Sequence, residues 1–168
     1  MDVLEAIYTR RSVRQYTDEL VSREEILEII KAGSWAPSGL NNQPWRFAIV
    51  RDGEKREALA GLTKYRHIVA AAPVSIAVFC DRAVMYNDTK DHQAIGACLQ
   101  NMLLAAHALG LGAVWLGEIL KSADEVRDLF GLPKELELMA VVAVGRPAAG
   151  AHPRPGRKPV AELIVGEF

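Results

Sequence analysis

Cysteine is nearly missing from this chain: its 168 residues hold only Cys80 and Cys98, both in apolar surroundings and without CxxC spacing. That excludes a disulfide framework and a thiolate zinc site, and the plain reading is two buried, reduced thiols. Histidine is also sparse. His67, His92, His107 and His152 are scattered with no pair at ligand spacing, which speaks against a metal site. An excess of either charge is lacking as well, because a net charge of −1 gives no whole-molecule attraction to nucleic acid or to an anionic membrane. There is no long uncharged apolar run and no secretory signal core, so the expectation is a cytoplasmic protein without a membrane span. No GxGxxG or Walker pattern follows any strand, and strict βαβ alternation is absent, which disfavours Rossmann and P-loop architectures.

What remains is ordinary in amount and informative in order. The length suits one domain over residues 1–168, and with 50% hydrophobic residues it can build a sizeable core. Asp2 three residues before Glu5 starts a helix whose Leu4, Ile7 and Tyr8 share a face. Ser22 and Glu25 form a capping box, with Leu20 or Val21 placed to staple onto Ile26, and Gly33 and Pro37 end that helix. Residues 45–50 read as a strand, 54–62 and 65–71 as short helices, and VSIAVFC after Pro73 as a strand covered on both faces. The spacing predicts a long central helix over 91–109, a short strand over 113–116, a helix capped by Ser122 and Glu125, and a last strand over 137–144. The sum is an α+β domain with several helices around a sheet of about four strands.

The tail breaks this pattern. Residues 145–159, GRPAAGAHPRPGRKP, hold four prolines and three glycines and cannot form a helix or a central strand. Extended at about 3.1 Å per residue they reach about 45 Å, against an expected radius of gyration of roughly 15 Å for such a domain. The apolar ending VAELIVGEF then lands either on a partner chain or back on its own subunit.

Four stretches could carry chemistry. TRRSVRQY at 9–16 puts three arginines within five residues, either an anion site or a solvated face paired with Asp18, Glu24 or Glu25. APSGLNNQPWRF at 36–47 offers uncharged donors and acceptors suited to the edge of a neutral heterocycle, or is a plain helix-to-strand loop. GLGAVWLGE at 110–118 ends a strand in glycine, where a flat ring could approach the backbone or where an ordinary turn could sit. Arg154, Arg157 and Lys158 form a second basic cluster that could complete the anion site.

Taken in order, these motifs resemble the nitroreductase family of FMN-dependent oxidoreductases, over nearly the whole chain. The resemblance implies an α+β homodimer with a mixed, mainly antiparallel sheet, FMN at the subunit interface, and a C-terminal arm (146–168) exchanged with the partner. By position, Arg10, Arg11 and Ser12 match phosphate and ribityl contacts, Arg14 the cation near the flavin pyrimidine edge, and Arg157 a phosphate contact. Pro37, Ser38, Gly39 and Asn41 match the loop laid against the flavin by the partner, and Leu116 and Gly117 the backbone beside the ring. The implied activity is ping-pong electron transfer from NAD(P)H to an electron-poor acceptor such as a nitroaromatic or quinone, with flavin N5 and no side chain carrying the chemistry. A branch with other flavin chemistry (dehalogenation, flavin fragmentation) and a non-catalytic flavin-binding or sensory module are the alternatives. The short stretch 81–90 departs from longer members by leaving little room for the helical excursion that shapes their pocket. Tyr86 within it either borders the pocket or is an exposed loop aromatic, and polar contacts from 62–67 are not assigned.

Overall fold

The computed structural model describes residues 1–151 and 156–168. Strands β1 (Trp45–Val50), β2 (Val74–Asp81), β3 (Gly112–Leu116) and β4 (Leu136–Gly145) form one sheet in the order β1-β2-β4-β3, every pair antiparallel. The mixed character expected from the sequence is confined, among the described residues, to one parallel bridge between Ser12 and Ala113. The inner strands β2 and β4 are apolar on both faces because both faces are covered. Ile76, Val78, Val142 and Val144 point into one core, Ala77, Phe79, Val141 and Ala143 into the other, and all are fully buried.

Helices α2 (Arg23–Ser34) and α5 (Asp88–Ala108) cover the first face, and α3 (Gly53–Ala60), α4 (Arg66–Ala71) and α6 (Ala123–Leu129) the second. α2 begins with the expected reciprocal capping box, Glu25 N–H to Ser22 Oγ at 3.1 Å and Ser22 N–H to Glu25 Oε2 at 2.9 Å. Val21, not Leu20, is the staple: Val21 is 2% exposed in the same core as Ile26, while Leu20 is 71% exposed. Gly33 lies inside α2 and is not its stop. A Cβ there would come within 2.6 Å of Met102 Cγ, so the glycine sets how closely α2 lies on α5.

Two further expectations need correction. α5 starts at Asp88, with the Asn87 side chain accepting from Lys90 N–H at 3.0 Å, which leaves Asp91 buried inside the first turns. Ser122 makes no side-chain cap on α6. A 3-10 turn over Glu118–Ser122 runs directly into that helix, so its first amide already has a backbone acceptor, Leu120 O.

The cysteines are both fully buried, and burial pushes their thiols up to about 11 for Cys80 and about 12 for Cys98. Protonated thiols of this kind are inert at neutral pH.

The first part of the tail is fastened to its own chain. Arg146 pairs with Glu19 at 3.0 Å and Glu25 at 2.8 Å, Ala148 N–H donates to Gln15 O at 3.0 Å, Pro147 bridges to Tyr16, and Ala151 is buried. The arm is therefore pinned through residue 151 rather than free from 146. Residues 156–168 behave differently: all are exposed, Val165 and Phe168 completely. Residues 156–168 are not covered by the core of their own chain among the described residues. The apolar stripe of α1 (Val3–Thr9) is uncovered too, with Leu4, Ile7 and Tyr8 at 55%, 43% and 69% exposure and only Ala6 buried.

Candidate functional site

The predicted site residues fall into two groups, one near each end of α5. Near its C-terminal end, the Thr9 hydroxyl and His107 Nε2 are 2.8 Å apart, which ties the end of α1 to α5. The next residues, Arg10 to Val13, then meet β3: Ser12 bridges Ala113, and Val13 N–H donates to Ala113 O at 3.0 Å. Gly112 permits this approach, since a Cβ there would lie 2.6 Å from Val13. Along β3, Ala113 to Gly117 spans four residues or about 13 Å. Arg10, Arg11, Ser12, Arg14, Leu116 and Gly117 thus belong to one edge of one subunit.

The charges on that edge are uncompensated. Burial, then the nearby positive charges of Arg157 and Arg11, lower the Arg10 guanidinium from its ordinary value. The Nε atoms of Arg10 and Arg11 are buried with no hydrogen-bond partner. Arg11 Nη1 donates to Tyr8 O at 2.8 Å and Arg10 O at 2.7 Å, Arg14 to Ser12 O at 3.3 Å, and Arg157 to Gly156 O at 3.2 Å. None of these four arginines pairs with a described carboxylate, and Glu25 is committed to Arg146. The solvated-face reading with Asp18, Glu24 or Glu25 is therefore not what forms. Converging guanidinium groups with unused donors call for a phosphate or another strong anion. A pocket of about 270 Å³ opens beside them, lined by Ser12, Arg14, Gln15, Gly150 and Ala151. Arg154 lies outside the described residues.

The second group is the polar loop after α2, held against the N-terminal half of α5. Its backbone is strained: Leu40, Asn41 and Gln43 have φ of 55°, 54° and 47°, a conformation costing a non-glycine residue about 1–3 kcal/mol. Local hydrogen bonds hold it, with Asn41 N–H to Ser38 O at 3.0 Å, Asn42 N–H to Gly39 O at 3.1 Å, and Gln43 N–H to Ser38 Oγ at 3.1 Å. The long-range anchor is Asn42, whose Nδ2 donates to Asp91 Oδ1 at 2.5 Å and to Val84 O at 3.1 Å. Asp91 Oδ2 accepts from the Tyr86 and Asn87 amides at 2.9 and 2.8 Å. Burial alone would raise the Asp91 carboxyl, but Asn42, the two amides and His92 outweigh it and hold the pKa below the ordinary carboxylate value. Pro37 and Asn41 are exposed, and Ser38 and Gly39 half-buried.

Gly39 has no room for a side chain, because Tyr86 lies directly over it and a Cβ would clash with the Tyr86 hydroxyl. Tyr86 therefore borders this loop rather than standing free. Trp45 is buried at 5% exposure behind the loop, as an anchor should be, whereas Trp35 and Leu40 flank it at 79% and 85%.

At the end of β3, Glu118 fastens the stretch 62–67 whose contacts were open. Its Oε2 accepts from the Thr63 hydroxyl at 2.6 Å and the Lys64 amide at 3.1 Å, while Oε1 pairs with Lys121 at 2.6 Å. What the sequence could not announce is the long-range partner of each, Asn42 for Asp91 and Thr63 for Glu118, 49 and 55 positions away.

Asp91 and His107, which fasten the polar loop and the start of the arginine run, are sixteen residues apart on α5, roughly 24 Å at about 1.5 Å per residue.

Comparison with known proteins gives this geometry a setting. The sequence profile of the nitroreductase family matches residues 7–73 and 62–146. The chain belongs to the nitroreductase family. A nitroreductase-family relative from Methanothermobacter thermautotrophicus, provisionally named an NADH dehydrogenase/NAD(P)H nitroreductase, is 41% identical over 88% of this chain and 78% of its own. The FMN reductase [NAD(P)H] of Bacillus subtilis is 29% identical over 92% and 69%. Among solved structures, a provisionally described nitroreductase from Desulfovibrio desulfuricans in complex with FMN is 52% identical, with a TM-score of 0.94 over 100% of this chain and 98% of that one.

Glu118 generates a pH prediction. The hydrogen bonds from Lys121 and Thr63, against some burial, and then the Lys64 amide and the Lys121 charge bring its pKa from 4.5 to about 2. A depressed acid stabilises the fold fully above its unfolded pKa and loses that contribution as pH falls through the folded one. Denaturant midpoints are therefore expected to fall between pH 4.5 and about 2, with a smaller fall in Glu118→Gln. Parallel pH dependence in the two proteins would contradict the assignment.

Proposed function

We propose that this chain is an FMN-dependent oxidoreductase whose flavin sites are each built from two copies of the chain. The observation that carries the reading is the pair of half-sites, one rich in unpaired arginine and the other in uncharged polar groups, separated along α5 by roughly 24 Å. A second copy laid against the first with α5 reversed would bring the arginine edge of each chain to the polar loop of the other. That arrangement gives two equivalent sites and one self-complementary interface. Uncovered apolar surface supports it: the α1 stripe, Trp35, Leu40 and Leu109 are all exposed in the single chain. So does the arm, where Leu163, Ile164, Val165 and Phe168 have no apolar cover of their own.

The donor set fits FMN. The buried, unpartnered Nε atoms of Arg10 and Arg11 with Arg157 nearby suit a phosphate dianion, and Ser12 adds a small donor for the ribityl end. Arg14 places a fixed positive charge where the pyrimidine edge of the ring would lie, favouring the reduced, more negative cofactor. Leu116 and Gly117 offer main chain with no bulk beside the ring, and Pro37, Ser38, Gly39 and Asn41 of the second chain close the other side. FMN held there supplies two-electron chemistry at N5, coupling NAD(P)H oxidation to reduction of a nitroaromatic or quinone. With a quinone the balance is NAD(P)H + H⁺ + quinone → NAD(P)⁺ + hydroquinone. The chain positions the reactants and excludes water, and no side-chain nucleophile is needed. Among the described residues no helix is long and apolar enough to cross a membrane, in keeping with a cytoplasmic enzyme acting on small molecules.

The purified protein is expected to be yellow, to bleach anaerobically with NADH or NADPH, and to recover its colour on adding a quinone. A protein that cannot be loaded with FMN would overturn the reading, and one that loads but does not bleach would be a binder rather than an enzyme. Removing residues 156–168 is expected to cost flavin and shift the dimer toward monomer in sedimentation. A truncated, yellow, fully dimeric protein would show that the arm is dispensable.

A further inference from the structure

A pocket of about 400 Å³ lies between the polar loop and the first turns of α5, lined by Pro37, Ser38, Gly39, Lys90, Gln93, Ala94 and Ala97. It is separate from the arginine pocket and shares with the flavin reading only the loop Pro37–Gly39. Three of its features point to one class of ligand. Lys90 carries a positive charge with no carboxylate partner among the described residues, and its ammonium sits 5.5 Å from the centre of the Tyr86 ring. Tyr86 is not in the lining itself, but it packs over the lining residue Gly39 and is 41% exposed, so an aromatic ring stands beside the pocket. Gln93 adds a neutral donor and acceptor one helical turn further along.

We propose that this pocket seats the electron acceptor, and that Lys90 and Tyr86 select a flat, electron-poor aromatic bearing an anionic group, such as a carboxylated nitroaromatic. The idea rests on the reading that Pro37–Asn41 faces the flavin of the second chain, because the acceptor must lie against that ring. An electron-poor ring stacks on the electron-rich phenol, and a carboxylate takes the ammonium that pairs with no described carboxylate. Asp91 does not compete for Lys90, since both its oxygens are engaged by Asn42, Tyr86 and Asn87. The stretch 81–90 leaves room for this: between the end of β2 at Asp81 and the start of α5 at Asp88 only residues 82–87 connect the two, with no separate helix among the described residues between them.

The test compares para-nitrobenzoate with para-nitrobenzamide, which share shape and nitro group and differ in charge. In Lys90→Ala the ratio of their kcat/KM values (benzoate over benzamide) is expected to fall about fivefold, the scale of one exposed ion pair. Lys90→Glu should lower the ratio further, Lys90→Arg should restore it, and Tyr86→Ala should raise KM for both acceptors. Flavin content and the rate of bleaching by NADH are measured on every variant. If these match the parent while the ratio is the same in Lys90→Ala, Lys90→Glu and the parent, the acceptor assignment is overturned and the flavin reading stands. If the parent takes up no FMN, both fall together.

Discussion

An α-helix cannot be compressed without breaking its hydrogen bonds, and α5 anchors one group of candidate residues near each of its ends. At the N-terminal end, Asp91 and Asn42 fasten the polar loop, and at the C-terminal end His107 and Thr9 fasten the segment that continues into the arginines. The proposed two-chain site rests on that fixed separation of roughly 24 Å. The sheet under α5 is stiff because both of its faces are covered, and Gly33 lets α2 lie close enough to deliver its C-terminal loop to the right turn of α5.

Asp91 is the most consequential of these fastenings. A carboxylate with no exposure is tolerated only because each of its oxygens is hydrogen-bonded, and a hydrogen bond to a charged group is worth about 1.5–3 kcal/mol. That is of the size of the strain of about 1–3 kcal/mol at any one of the left-handed residues Leu40, Asn41 and Gln43, so the Asn42–Asp91 anchor offsets part of it and the local hydrogen bonds of the loop offset more. Glu118 plays a similar part at the end of β3, tying the stretch after α3 to the strand that ends in Gly117.

Much of this was legible in the sequence wherever the physics is local. The Ser22–Glu25 box, the doubly apolar β2, the polar loop and the arginine run all depend on neighbours within a few positions. Expectations failed where a distant residue, or a neighbouring turn not foreseen, decides. Gly33 reads as a helix stop until Met102 is seen packed against it, and Ser122 reads as a cap until the preceding 3-10 turn supplies the acceptor. Asp91 looks like a helix-start residue, and nothing near it announces Asn42. The tail was ambiguous for the same reason. Its early part is fixed by Glu19 and Glu25 far upstream, and its apolar end finds no cover in its own chain.

The central claim, that each flavin site draws on two chains, is tested most directly with hybrid dimers. One chain carries Arg10→Glu with Arg11→Glu, and the other carries Pro37→Glu with Asn41→Asp, all on the site groups and away from the two cores. Each variant alone should be a colourless dimer. In the hybrid, one site collects every substitution and the other collects none, so the account predicts one bound FMN per two chains, with NADH-driven bleaching restored. A hybrid as colourless as its parents would mean that each site lies within one chain, and would contradict the account.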